Sequence, residues 1–339
     1  MIHQHQWTPE YKRTEEDELR CVGVEIELAG LSPDEIIHLL QLRFGGTKKP
    51  ESPFVYHLKD SRLGDFRIEL DAEMLKKHGE HIEIRESGED SEKGLRMQVV
   101  DLYTNALTNS AELFVPWEIV TDPIKMNELS LLNPIFSELR KAGAEGTKES
   151  LRYAFGVHLN PELPSLDAET ILRYLQAYIV MHDWLVEKEN VDLMRRITPY
   201  IAPFKTAYAR KILAPDYKPT MDELIDDYLE FNPTRNRSLD MLPLFTHIDE
   251  SRVRKVVKDS RVKARPTLHY RLPNCEIDEP SWELWTVWQN WLQVEALANH
   301  KTLPELSAEY LEFLQSFGHQ LSNDWSKQVE EELEKIEPA

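Results

Sequence analysis

The sequence predicts an α+β protein in which an antiparallel sheet is assembled from distant segments and a helical C-terminal half packs on it. Three observations lead there. Short runs in the first half, and one near residue 270, alternate apolar and polar residues with the period of two that a half-buried strand requires. Beyond residue 165 the apolar residues recur at helical spacing instead. No internal repeat or low-complexity linker divides the chain. Residues 1–19 therefore read as a polar, loosely held lead-in and 20–335 as a single domain. That domain is sheet-forming over 20–165 and 260–275 and mainly helical over 166–259 and 276–335.

The first strand is Cys21–Leu28, in which Val22, Val24, Ile26 and Leu28 share one face and Gly23, Glu25 and Glu27 the other. Gly30 ends it, and Ser32 and Pro33 supply the N-cap and first position of a helix that Gly45-Gly46 stops. Phe54–Lys59 and Asp65–Asp71 read as strands around the turn at 60–64. The charged run Glu86–Lys93 reads as a surface loop, Leu95–Thr108 as a helix and Ala111–Val120 as a strand. Met126–Ala142 carries a helical stripe of Leu129, Leu132, Ile135 and Leu139. Tyr153–Asn160 is a further strand. Helices are expected over 167–189, 220–230, 249–259, 281–299 and 303–335, interrupted by one strand at Lys263–Leu272. Trp282, Trp285, Trp288 and Trp291 recur every third residue and read as core or subunit contact.

Composition narrows the classes of function. The 339 residues can bury a large core, and 41% hydrophobic with 29% charged residues is ordinary for a soluble globular protein. A net charge of −20 argues against nucleic acid as a partner, because phosphate binding needs basic patches. Cys21 and Cys275 form neither a disulfide framework nor a metal-ligand spacing. No apolar run approaches membrane-spanning length, and the first residues show no signal-peptide core, so a cytoplasmic location is expected. No GxxxxGK[ST] loop is present, which excludes a P-loop nucleotide site.

The strands share a second pattern. Each offers an apolar face and an opposite face of Glu, His, Asn or Arg, so that one aligned sheet would present Glu25, Glu27, Glu69, Glu118, His158, Asn160, His269 and Arg271 together. Two glutamates two positions apart on a strand stand about 7 Å apart, near enough to touch one cluster of divalent cations. Carboxylate oxygens suit Mg²⁺ or Mn²⁺, and an imidazole among them is compatible with either. The plain alternative is a solvated sheet face. Against it, independent solvated faces would mix in Lys, Ser, Thr and Gln. Arg235, Arg237, Arg265 and Arg271 supply planar forks suited to phosphate or carboxylate, although Arg235 and Arg237 lie in a stretch that also reads as an ordinary surface loop.

GVEIEL, EIVTDPI, GVHLN and HYRLPNC, in this order, resemble the amidoligase family of carboxylate–amine ligases, which is related to glutamine synthetase and glutamate–cysteine ligase. The resemblance covers roughly 20–300 and takes in TPYIAPF and NPTRNRSLDMLPLF. It implies a glutamine-synthetase-like antiparallel sheet with one polar catalytic face. Glu25 and Glu27 resemble the E-x-E pair whose carboxylates hold the metals around ATP, and Glu118 resembles a further metal carboxylate. Gly156–Asn160 is similar to the G-x-H-x-H strand, which makes His158 a metal ligand and puts Asn160 where the second His would contact nucleotide. His269-Tyr270-Arg271 resembles the E-x-R strand, with His269 in the metal position usually held by Glu and Arg271 facing phosphate. Glu69 has no clear counterpart in that pattern, and Asp60-Ser61 is similar to a short D-x-S motif.

The implied activity is ATP- and Mg²⁺- (or Mn²⁺-) dependent formation of an amide through an acyl phosphate. Its substrates would be a small-molecule carboxylate and an amine, amino acids or peptides among them, with no nucleic acid and no membrane involved. The expected catalytic residues are Arg271, Arg265 and Glu69. Asn160, Arg235, Arg237 and Arg271 would bind nucleotide, and Glu25, Glu27, Glu118, His158 and His269 would bind metal. Two alternatives stand beside it: a non-catalytic relative that binds nucleotide or an amino acid, and a metal-dependent amide hydrolase that works without ATP. The sequence leaves the oligomeric state open.

Overall fold

The computed structural model describes residues 7–70, 116–147, 155–191, 195, 201–315 and 324–336. Among them lies a nine-stranded antiparallel sheet in the order β2-β3-β4-β5-β1-β7-β9-β8, with β6 also pairing β1. The strands are β1 (Cys21–Leu28), β2 (Thr47–Ser52), β3 (Val55–Lys59), β4 (Phe66–Leu70), β5 (Trp117–Thr121), β6 (Ile124–Lys125), β7 (Val157–Pro161), β8 (Leu239–Asp240) and β9 (His269–Tyr270). The helices are α1 (Pro33–Phe44), α2 (Pro134–Ala142), α3 (Ala168–Lys188), α4 (Thr206–Ile212), α5 (Met221–Phe231), α6 (Leu242–Ile248), α7 (Glu250–Val256), α8 (Leu284–Asn299), α9 (Leu303–Gln315) and α10 (Asp324–Leu333). The expected mixed class and helical C-terminal half are both present.

β1 is the central strand. Its apolar residues Val22, Val24, Ile26 and Leu28 are essentially inaccessible, and it pairs β5 on one side and β7 on the other. Helices cover the apolar face. Phe44 of α1 stacks on Phe66 of β4 at 5.5 Å, while Tyr178 of α3 and Trp291 of α8 close on Tyr270 of β9 at 5.9 and 5.3 Å. α1 starts as its sequence dictates, with a Ser32–Glu35 capping box and Pro33 at its first turn. A bidentate buried ion pair from Arg20, just before β1, to Glu295 of α8 ties the sheet to the helical half.

Several expectations need correction. The lead-in is held: over its described part Trp7 is buried against Trp285 at 5.0 Å, and the Trp288 indole N–H donates to the Trp7 carbonyl at 2.6 Å. Met126–Ala142 is not one helix, because Pro134 lacks the N–H a continuing helix needs, so a 3₁₀ turn (Met126–Leu131) precedes α2. Lys263–Leu272 contributes only the two-residue strand β9, with an isolated bridge from Thr267 to Glu162. β2, β6, β8, α4 and α6 were not anticipated. The strand expected at 111–120 is present as Trp117–Thr121, and its first residues lie outside the described ones. The same holds for the loop at 86–93, the helix at 95–108 and residues 316–323 of the expected 303–335 helix, whose described parts are α9 and α10.

Candidate metal centre

Paired residues on neighbouring strands share a face of the sheet, so the register alone places the polar side chains. Glu69 of β4 pairs Glu118 of β5, and Glu118 pairs Glu27 of β1. Glu25 pairs His158 of β7, Gly23 pairs Asn160, and His269 of β9 pairs Asp240 of β8. The expected polar face therefore forms, and it lies opposite the buried apolar residues of the same strands.

The side chains then converge. His158 sits between the two glutamates of β1, its Nδ1 3.1 Å from Glu25 Oε2 and its Nε2 3.6 Å from Glu27 Oε1. His269 Nε2 lies 3.5 Å from Glu25 Oε2, and Asn160 Nδ2 donates to Glu25 Oε1 at 2.9 Å. The Gly156 N–H donates to Glu27 Oε2 at 2.6 Å. Two groups of three residues bring ligand atoms within 4.8 Å of one another: Glu25, His158 and His269, and Glu27, Glu118 and His158. These are the five residues expected to bind metal, arranged as two adjacent positions that share His158.

Three carboxylates and two imidazoles form a donor set suited to Mg²⁺ or Mn²⁺. The buried His269 Nε2 and Asn160 Oδ1 lack a hydrogen-bond partner among the described residues, a cost that an ion or its bound water would remove. Burial drives the His269 imidazole down to about 3, against the pull of Glu25. Burial opposes ionisation of Glu25, but the facing His269 and His158 rings hold its carboxyl well below the ordinary range. Burial raises Glu69, as does the charge of Glu25, while Arg67 opposes the rise.

Gly156 is what allows such close approach. A Cβ there would lie 2.7 Å from Arg195 Nη2, 3.0 Å from His158 Nε2 and 3.3 Å from Glu27 Oε2. Any side chain at this position would push apart groups from both halves of the chain.

The expected arginines divide. Arg265 reaches Glu25 Oε1 at 3.4 Å, and Arg271 is buried with Nη1 on the Arg235 carbonyl at 3.1 Å. The Nε atoms of both are buried and unpaired among the described residues. Arg235 is half-buried; its carbonyl takes the Arg271 bond, and its guanidinium makes no hydrogen bond with the described residues. Arg237 differs, because its donors go to Asn232 Oδ1 at 2.8 Å and to the Pro203 and Phe231 carbonyls. It braces its own loop, which removes it from the expected nucleotide contacts.

Two residues of the site were not anticipated. Asp240 is buried beside Arg271, Arg235 and Arg265; burial pushes its carboxyl up to about 6 against those charges and the Leu242 N–H. Arg195 is buried near Glu27 and binds the carbonyls of Arg271, Leu272 and Pro273 and the Asn274 side chain, fixing the chain that follows β9. Asp240 stands in a two-residue strand with no alternation to betray it. Arg195 precedes another arginine in a stretch without period, so neither carried a readable signal.

A family model described as "Putative amidoligase enzyme" matches residues 18–293, a span that contains every residue of this site. No curated protein matches the chain, and no solved structure matches it.

Proposed function

Since the chain belongs to the amidoligase family, whose members are read as amide-forming ligases, we propose that it joins a small carboxylate to an amine on the polar face of the sheet, using ATP and Mg²⁺ or Mn²⁺. The observation that carries the proposal is the convergence of Glu25, Glu27, Glu118, His158 and His269 into two metal-sized groups flanked by Arg265 and Arg271.

ATP held with the metal would activate the substrate carboxylate as an acyl phosphate, which the amine then opens with release of phosphate. Phosphoryl transfer asks little covalent chemistry of a protein; it asks for charge neutralisation and alignment. On this reading the two carboxylates of β1 and Glu118 supply the anionic wall that fixes the cations, with His158 shared between them. The unpaired Nε atoms of Arg265 and Arg271, together with Arg235, supply donors for phosphate oxygens. Asn160 orients the Glu25 carboxylate through its 2.9 Å hydrogen bond. Glu69 stands in register with Glu118 but outside both groups, and burial raises its pKa. It is our choice for the base that takes the proton lost by the attacking amine.

The test is to incubate purified protein with ATP, Mg²⁺ and paired panels of carboxylates and amines, and to measure ADP while mass spectrometry searches for products joined with loss of water. ADP should form only when both substrates are present, and Glu25→Gln should abolish it. Amide cleavage without ATP would favour the hydrolase instead. Absence of ATP binding in the presence of Mg²⁺, with Glu25→Gln and Glu27→Gln changing nothing, would end the proposal.

A further inference from the structure

Each glutamate of β1 turns one oxygen to neighbouring donors and the other to His158. Glu25 Oε1 accepts from Asn160 Nδ2 at 2.9 Å and lies 3.4 Å from Arg265 Nη1. Its Oε2 lies 3.1 Å from His158 Nδ1 and 3.5 Å from His269 Nε2. Glu27 Oε2 accepts from the Gly156 N–H at 2.6 Å, and Oε1 lies 3.6 Å from His158 Nε2. Held this way, each carboxylate offers a single oxygen to a cation, with the other fixed by an outer layer of donors.

Taken together the five donors suit Mg²⁺ or Mn²⁺, but the two groups of three differ in kind. Glu25, His158 and His269 supply one carboxylate and two imidazoles, whereas Glu27, Glu118 and His158 supply two carboxylates and one imidazole. Imidazole suits Zn²⁺ and its first-row neighbours, while Mg²⁺ takes oxygen ligands and keeps several waters. Two imidazoles and one carboxylate, with further positions open, form the ligand set of catalytic zinc and of non-haem iron. The spacing agrees. Ligand atoms about 2.0–2.2 Å from such an ion stand about 3–3.5 Å from one another. The separations of 3.1 and 3.5 Å around Glu25 Oε2 match that range.

His158 cannot ligate in both groups at once. A neutral imidazole has one lone pair, because its other nitrogen carries hydrogen. An ion bound through Nδ1 leaves Nε2–H turned toward Glu27, and carboxylate, histidine and metal in that order commonly fix a metal-bound ring. Glu27 and Glu118 then remain as a pair of carboxylates. One or two carboxylates plus substrate phosphates is how Mg²⁺ is usually held.

We propose that the centre is of mixed metal class: Glu25, His158 through Nδ1, and His269 hold a transition ion of the Zn²⁺ type, which leaves Glu27 and Glu118 for Mg²⁺. The first position is built by β1, β7 and β9 alone. This assignment rests on the metal centre described above, and its test contains no nucleotide or substrate, so that its failure and failure of the ligase reaction are told apart.

The test uses the full, untagged chain stripped of metal with EDTA and dialysed, with Co²⁺ as a spectroscopic probe. Co²⁺ should bind at one equivalent, and proton NMR should then show paramagnetically shifted ring N–H signals from two imidazoles. Zn²⁺ should displace it stoichiometrically, whereas Mg²⁺ should need an excess of about a hundredfold or more. His269→Ala should weaken Co²⁺ about tenfold or more and remove one of the two signals. His269→Glu should narrow the gap between Zn²⁺ and Mg²⁺, and Glu118→Gln should leave the Co²⁺ titration unchanged. Displacement by Mg²⁺ as readily as by Zn²⁺, shifted signals from fewer than two imidazoles, or no Co²⁺ binding by the wild-type chain would overturn the assignment. So would a Co²⁺ titration that is untouched by His269→Ala or lost with Glu118→Gln. Should a variant fail to fold, the count of shifted imidazoles and the competition on the wild-type chain decide alone.

Discussion

Replacing Glu189 by Gln should make the protein more stable, and increasingly so as pH rises. Glu189 is buried at the C-terminal end of α3, where the helix dipole disfavours a negative charge. Its Oε1 accepts from the Tyr270 hydroxyl at 3.1 Å and from Asn290 Nδ2 at 3.0 Å. Burial pushes the carboxyl up from 4.5 to about 8, beyond what those donors and Arg195 restore. The folded state thus keeps a proton that the unfolded chain gives up at lower pH. The associated stability is complete below pH 4.5, declines as pH rises through the window from 4.5 to about 8, and is gone above it. Across the whole window a shift of 8 minus 4.5 corresponds to about 5 kcal/mol at 1.36 kcal/mol per pH unit. Between pH 6.5 and 8.5 the same two values give a loss of about 2 kcal/mol. Asp240, at about 6, has the same sign but titrates below this interval, so the interval isolates Glu189. A glutamine keeps an acceptor oxygen for both donors and never ionises. Urea unfolding of wild type and Glu189→Gln should therefore show a stability gap that widens by about 2 kcal/mol from pH 6.5 to 8.5. Parallel profiles over that interval would refute the reasoning.

Four further outcomes are expected. Glu25→Gln and Glu27→Gln should each weaken Mn²⁺ binding at least tenfold by electron paramagnetic resonance while leaving the circular dichroism unchanged, since each removes one ligand charge. Gly156→Ala should weaken the same metal signal and cost about 1–3 kcal/mol in urea, because its Cβ would press on Arg195 and His158. Arg235→Gln should lower ATP affinity about tenfold with a stability change within about 0.5 kcal/mol, whereas Arg237→Gln should cost about 1–3 kcal/mol, and isothermal titration paired with urea melts separates the two. Arg20→Met should destabilise by about 3–5 kcal/mol, and adding Glu295→Leu should recover much of that loss, because the single change strands a buried carboxylate that the double change removes.

Legibility from sequence followed period and parity. β1, β4, β5 and β7 announce themselves by alternation, and in an antiparallel sheet parity settles which side chains share a face. That is why the sequence alone gathers eight polar residues scattered from 25 to 271. β2 escaped because Thr47–Ser52 contains two lysines, a proline and a serine and owes its pairing to β3 alone. An edge strand tolerates such residues, so its sequence carries little pattern. β8 is too short to have a period, and Asp240 was lost with it. Arg237 shows the opposite failure. Composition marked it as a fork for phosphate, but its role depends on which carbonyls surround it, and those come from residues 203 and 231.

The central position of β1 has a kinetic consequence. Its neighbours in the sheet come from β5 and β7, and the imidazole that completes the group around Glu25 comes from residue 269, later by 269 − 25 = 244 residues. At a synthesis rate of about 5–20 residues per second, that interval lasts about 12–50 seconds on the ribosome. The strands that flank it are complete by residue 161, so for the later part of that interval β1 has its sheet partners but not the imidazole of His269. Contacts so distant in sequence also place this chain among slow folders, since long loops must close before pairing repays them. The centre is thus finished later than the strands that flank it, and a chain arrested before residue 269 would carry β1 between β5 and β7 without the imidazole that completes the group around Glu25.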